Sequence, residues 1–163
     1  MKYLLIVDKI IEKLQIFVSI TLFTTIIILG TMQVVFRYLL NSSLPWSEEL
    51  MRFLFIWLVF IASSITVRLD GHVSIDLLTL KLNARGQAIM FAITRLLCVA
   101  FLVIMIPAGF DLTQKAATSR AAILPISFKF VYASFFVGSI LMLISYISTI
   151  PRYVKKISRG GMS

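Results

Sequence analysis

The chain has one cysteine, one histidine and seven acidic residues in 163 positions. Cys98 lies inside an apolar run, so it has no intramolecular disulfide partner and behaves as a small hydrophobe. Thiol-exchange chemistry, which needs a cysteine pair, is excluded. His72 has Asp76 one helical turn on, but no second histidine and no nearby cysteine, so metal-ligand spacing fails and a polar contact or loop position is the simpler reading. Ser42, Ser43, Ser63 and Ser64 have no His/Asp constellation to activate them, and no glycine-rich phosphate loop occurs. With no nucleophile, metal cluster or cofactor motif, the sequence does not read as an enzyme and calls for no cofactor.

What is abundant is hydrocarbon. Apolar residues make up 60% of the chain and the mean hydropathy is +0.99. A helix needs about 20 mostly apolar residues to cross a bilayer. Four such runs, at about 14–36, 47–67, 88–110 and 129–150, predict an all-α membrane protein with residues 1–163 as one membrane domain. The first run is longer than a signal-peptide core and no small-x-small cleavage site follows, so it reads as an uncleaved span. The net charge of +9 would suggest nucleic acid in a soluble protein. Here the basic residues lie mainly between and beyond the apolar runs, and no nucleic-acid motif is present. Membrane lipids, not nucleic acid, are the expected partner of that charge.

Residues 3–13 place Leu4, Val7, Ile11 and Leu14 on one stripe and Asp8, Lys9, Glu12 and Lys13 elsewhere, the pattern of an amphipathic interfacial lead-in. After the first span comes a polar turn, 41–45, in which Pro45 and Ser47 mark a helix start and Glu48 and Glu49 occupy its first turn. Residues 73–83 read as an interfacial helix with His72, Asp76, Thr79 and Asn83 on its polar stripe. Pro107 predicts a kink in the third span, and Asp111 and Lys115 have the spacing to pair beyond it. Counting Lys and Arg by side gives 11 against 5 in favour of both termini in the cytoplasm.

The middles of the four spans contain no Asp, Glu, Lys, Arg or His. Ionisable groups inside a membrane are costly and usually mark a substrate or ion path. Their absence predicts that this chain moves no ion or anion through its own interior. The densest polar constellation lies at the start of the second span: Trp46, Glu48, Glu49 and Arg52, with Arg37 and Tyr38 before it. Glu48 and Arg52 stand i,i+4 and Glu49 and Arg52 i,i+3. A solvated helix start with an interfacial tryptophan explains any one of them. The set together suits a polar contact between helices or subunits. Adjacent positions on a helix point in different directions, which argues against Glu48 and Glu49 as an acid–base pair. In the fourth span, Ser134 and Gly138 form a small-xxx-small pair that permits close helix approach.

Residues 33–76 resemble the small membrane subunit of tripartite ATP-independent periplasmic (TRAP) transporters, the DctQ-type family. The residues that carry the likeness are Gln33, Arg37 and Tyr38, then Trp46, Glu48, Glu49 and Arg52, then Trp57, and then Arg68, Gly71, His72 and Asp76. A weaker match continues through Pro125, Tyr132 and Gly138. The chain departs from the family in the second span, where Ile61-Ala62-Ser63-Ser64 replaces a mid-helix glycine; the small side chains keep close packing available. The resemblance implies a non-catalytic scaffold in the bacterial inner membrane, bound to a large multi-span subunit that holds the substrate and sodium sites. It further implies a periplasmic substrate-binding protein and sodium-driven import of organic acids, with sialic acid favoured and C4-dicarboxylates next. Arg37, Glu48, Glu49 and Arg52 would then form the outer polar contact, and Arg68, His72 and Asp76 would organise a cytoplasmic turn. A stand-alone homo-oligomeric transporter and an assembly subunit of another membrane complex are the competing readings.

Overall fold

The computed structural model describes residues 2–68 and 84–158, with side chains over 8–68 and 92–149 and at 86, 89 and 90. The expected interfacial helix at 73–83, with His72 and Asp76, lies outside the described residues. Four long helices carry the fold: α1 (Lys2–Leu39), α2 (Pro45–Arg68), α3 (Ala84–Lys115) and α4 (Phe128–Ser158), with a short 3-10 turn at Ala116–Thr118 and no strand among the described residues. All four are long and apolar enough to cross a membrane.

Their ends follow from local chemistry. Asn41 takes a left-handed conformation (φ 49°), and the Ser42 N–H reaches back 3.1 Å to the Phe36 carbonyl, closing α1 with a Schellman-type turn. Pro45 opens α2 at a position where its missing N–H costs nothing. The Ser127 Oγ accepts the Lys129 N–H at 3.2 Å and so caps α4. Two prolines do not end their helices: Pro107 lies within α3 and Pro151 within α4. Residues 3–13 are likewise not a separate segment but the first turns of α1.

Helix α4 packs against both α2 and α3, whereas α1 packs chiefly against α2, so the helices neighbour one another in the order α1, α2, α4, α3. Burial follows that order: one third (33%) of the α4 span is buried, but 11% of the α1 span. Exposed Phe17, Phe23, Ile27 and Ile28 on α1, and Leu96, Leu97 and Phe101 on α3, have lipid as their natural solvent. The interior instead holds small hydroxyls. Ser64, Ser134 and Ser145 are completely buried, and each donates its hydroxyl to a carbonyl three or four residues back in its own helix. Compact side chains satisfied in this way let neighbouring backbones approach.

Gly138 is the closest such approach. A Cβ placed there would lie 2.6 Å from the Phe60 Cβ, an atom fixed to the α2 backbone. Gly138→Ala should therefore lower the stability of the solubilised chain by about 1–3 kcal/mol through overpacking. Gly30→Ala, whose new methyl would meet the Met51 sulfur at an ordinary 3.6 Å, should be nearly silent in the same thermal melt.

Candidate functional site

The polar residues of the sequence cluster divide into buried braces and exposed groups. The first brace is Glu49. Position 47 and position 49 of α2 face inward, while Glu48 between them faces out. Residues 116–127 return from α3 to α4 through a tight loop held by Phe128 N–H to Ser119 O (3.0 Å) and Ala121 N–H to Ile126 O (2.9 Å). This folding points three successive backbone N–H groups at one spot. The Glu49 carboxylate occupies it, accepting from Ala122 (3.0 Å), Ile123 (3.0 Å) and Leu124 (2.7 Å). Three donors to one carboxylate compensate the loss of water around a buried charge. The chemistry is that of an anion nest, filled here by the chain's own side chain.

The second brace lies at the opposite end of α2. Arg68 is 4% exposed, and its Nη1 donates to the carboxylate of Asp8 on α1, itself 8% exposed. Two turns further along α1, Gln15 is also buried (4% exposed). Neither its amide atoms nor the Arg68 Nε and Nη2 have a partner among the described residues. The charged stripe of the lead-in is thus divided: Asp8 turns to α2, while Lys9, Lys13 and the apolar Leu14 face outward. In lipid the polarity of a helix inverts. Hydrocarbon is at home outside and carboxylates seek partners inside.

Two further polar contacts tie α4 to its neighbours. The Trp57 indole N–H donates to the Phe130 carbonyl at 3.1 Å, linking α2 to α4. Arg95 on α3 donates to Thr149 Oγ1 at 2.9 Å and lies 5.7 Å from the centre of the buried Tyr146 ring. Neither contact performs chemistry; both fix helix register.

Arg37, Tyr38, Trp46, Glu48 and Arg52 are each exposed. Glu48 and Arg52 form the i,i+4 pair expected from their spacing, at 3.8 Å with both side chains about two-thirds exposed. Glu49 does not join it as a surface group. Asp111 and Lys115 do not come within ion-pair distance, and the ion pairs among the described residues are Glu48–Arg52 and Asp8–Arg68. Sequence reasoning missed Asp8 and Gln15 as interior residues. Their seven-residue spacing, which returns to one face of a helix, was the available signal.

Four helices long and apolar enough to span a membrane, with an apolar exterior and Glu49 and Arg68 engaged inside, define a multi-pass membrane protein. The chain belongs to the DctQ component family of tripartite ATP-independent periplasmic transporters, whose model matches residues 26–156, and it is a multi-pass protein of the inner membrane. It is 31% identical over 139 residues to the sialic acid TRAP transporter permease protein SiaT of Haemophilus influenzae, covering 85% of this chain and 23% of that protein. To the sialic acid TRAP transporter small permease protein SiaQ of Vibrio cholerae it is 25% identical over 147 residues, 90% of this chain and 85% of the relative. The C4-dicarboxylate TRAP transporter small permease protein DctQ of Vibrio cholerae is 27% identical over 88 residues, 54% of this chain and 38% of the relative. The chain therefore spans about a quarter of SiaT but most of SiaQ.

Proposed function

We propose that the chain is the small scaffold subunit of a sodium-coupled TRAP importer of organic acids, with sialic acid the favoured cargo and C4-dicarboxylates next. Both termini face the cytoplasm. A large multi-span subunit carries the substrate and sodium sites, and a periplasmic binding protein delivers the cargo. The observation that carries this reading is where the interior charges go. Glu49 is engaged with the loop at 122–124, Arg68 with Asp8 and Arg95 with Thr149. These groups hold helices together, whereas a transport path needs charges that can exchange partners. The length relation to SiaT supports the second subunit, because a sequence like this one makes up 23% of that longer permease. The exposed set Arg37, Tyr38, Trp46, Glu48 and Arg52 is the polar face offered to the large subunit on the outer side. Arg68, with His72 and Asp76 beyond it, orders the cytoplasmic turn.

Proteoliposomes test the proposal. With an inward sodium gradient, labelled sialic acid should accumulate only when this chain, the large subunit and the loaded binding protein are all present, and collapsing the gradient should abolish uptake. Accumulation by this chain alone would establish a self-sufficient transporter instead. Uptake of a C4-dicarboxylate, but not of sialic acid, would correct the cargo and leave the scaffold role standing.

A further inference from the structure

Because α4 stands between α2 and α3, the three helices leave an open crevice where their surfaces diverge near the α3–α4 connection. Its volume is about 250 Å³, and it is lined by Ile56 and Phe60 of α2, Leu112 of α3, and Val131, Tyr132 and Phe135 of α4. Ser134 also borders it, but its hydroxyl is committed to the Val131 carbonyl at 2.6 Å, leaving the crevice with no free polar group to offer a ligand from that side chain. The edge-to-face pair Phe60–Phe135, with ring centres 5.4 Å apart, holds its wall.

Exposed cations lie on the helix ends that supply this crevice's lining, whereas the Glu49 carboxylate at the same end is taken up by the 122–124 backbone. Lys115 stands in the last turn of α3, three residues beyond Leu112, and Lys129 in the first turn of α4, two residues before Val131; both are exposed. Arg120 in the connecting loop is exposed as well, and Asp111 is the one acidic residue of the connection and the turn before it. An apolar slot with a cationic rim at the helix ends matches the two parts of one amphiphile. We propose that the crevice holds an acyl chain of an anionic phospholipid whose phosphate is met by Lys115 and Lys129. Lipid tails are as apolar as the helix surface, so burial alone gives no preference for one lipid. Shape fit along the crevice and the lysine–phosphate attraction at its rim supply that preference. Long, flexible lysines suit a headgroup that moves with its leaflet.

Native mass spectrometry of the purified full chain, exchanged into an equimolar mixture of phosphatidylglycerol and phosphatidylcholine, reads the proposal directly. The unmodified chain should retain one phospholipid and favour phosphatidylglycerol by roughly 10–30-fold, from two lysines near the headgroup. Lys115→Gln with Lys129→Gln should bring that preference close to parity without changing helicity. Leu112→Trp, at a position 43% exposed, should fill the slot and reduce retention of both lipids. If that variant fails to fold, Tyr132→Trp, at 38% exposure, repeats the test. An undiminished phosphatidylglycerol preference in the double glutamine variant would overturn the proposal. So would unchanged retention in a folded tryptophan variant. In the assembled complex, loss of the lipid together with cross-linking of Leu112→Cys to the large subunit would identify the crevice as a protein interface and also overturn it.

Discussion

Glu49→Ala is expected to reduce the yield of folded chain by at least about tenfold, while Glu48→Ala leaves it nearly unchanged. Removing the Glu49 carboxylate takes the acceptor from three part-buried N–H groups at once, those of Ala122, Ile123 and Leu124, and hydrogen bonds to a charged acceptor contribute more than neutral ones. Glu49→Gln should recover only part of the loss, because its amide oxygen can still accept from Ile123 and Leu124 while its NH2 group points hydrogens at the Ala122 N–H. Glu48, by contrast, gives up only an exposed pair with Arg52, and such pairs contribute about 0–1 kcal/mol. Fluorescence-detected size exclusion of the solubilised chain measures yield, and thermal melts rank the variants. Equal behaviour of the two single variants would remove the distinction between brace and surface. A Glu48→Ala chain that folds normally but recovers less large subunit would mark the outward face as the docking side.

The second large effect concerns the seam between α1 and α2. Asp8→Leu should destabilise the chain by about 3–5 kcal/mol, because it takes the carboxylate from the buried Arg68 guanidinium, and Arg68→Leu should destabilise it by removing the same ion pair. The double leucine variant should regain much of that loss, since an apolar pair of similar volume is often neutral or better. Recovery is favoured here because, among the described residues, Asp8 is the carboxylate that meets Arg68, whose Nε and Nη2 have no partner there. The single variants should release α1 in particular, as α2 is its principal neighbour. A short thiol-reactive cross-linker between Gly30→Cys and Met51→Cys, positions whose side chains meet across that seam, reports the release as slower cross-linking. If the double variant is as unstable as the sum of the singles, Asp8 and Arg68 act independently and the seam is held by something else.

These two residues show how far the amino-acid sequence reaches. Glu49 stood out in it as part of a polar cluster at a helix start, and the start itself was legible from Pro45 and Ser47. Its role was not. Glu48 and Glu49 have the same chemistry, and only the return of the chain 73 residues later, bringing Ala122 N–H to the carboxylate, separates a brace from a surface charge. Asp8 was legible as a charged residue in a stripe, but not as the partner of Arg68, because stripe reasoning assumes water on the polar side. In lipid that assumption reverses, and nothing local in residues 3–13 says which solvent surrounds them.

From its composition alone the chain had to be helical and membrane-embedded: runs of some twenty apolar residues can bury their backbone polar groups only as helices. The lack of ionisable residues in the middle of each span is likewise a property of the sequence alone. Tertiary structure decided the order α1, α2, α4, α3, the inward turn of Glu49 and Arg68, and the crevice beside Phe135. Local periodicity can say that a residue lies on a face. Which helix meets that face depends on contacts between residues far apart in the chain, such as Gly138 against Phe60. Those contacts follow from shape and small side chains, whose pairing leaves no periodic mark in either segment.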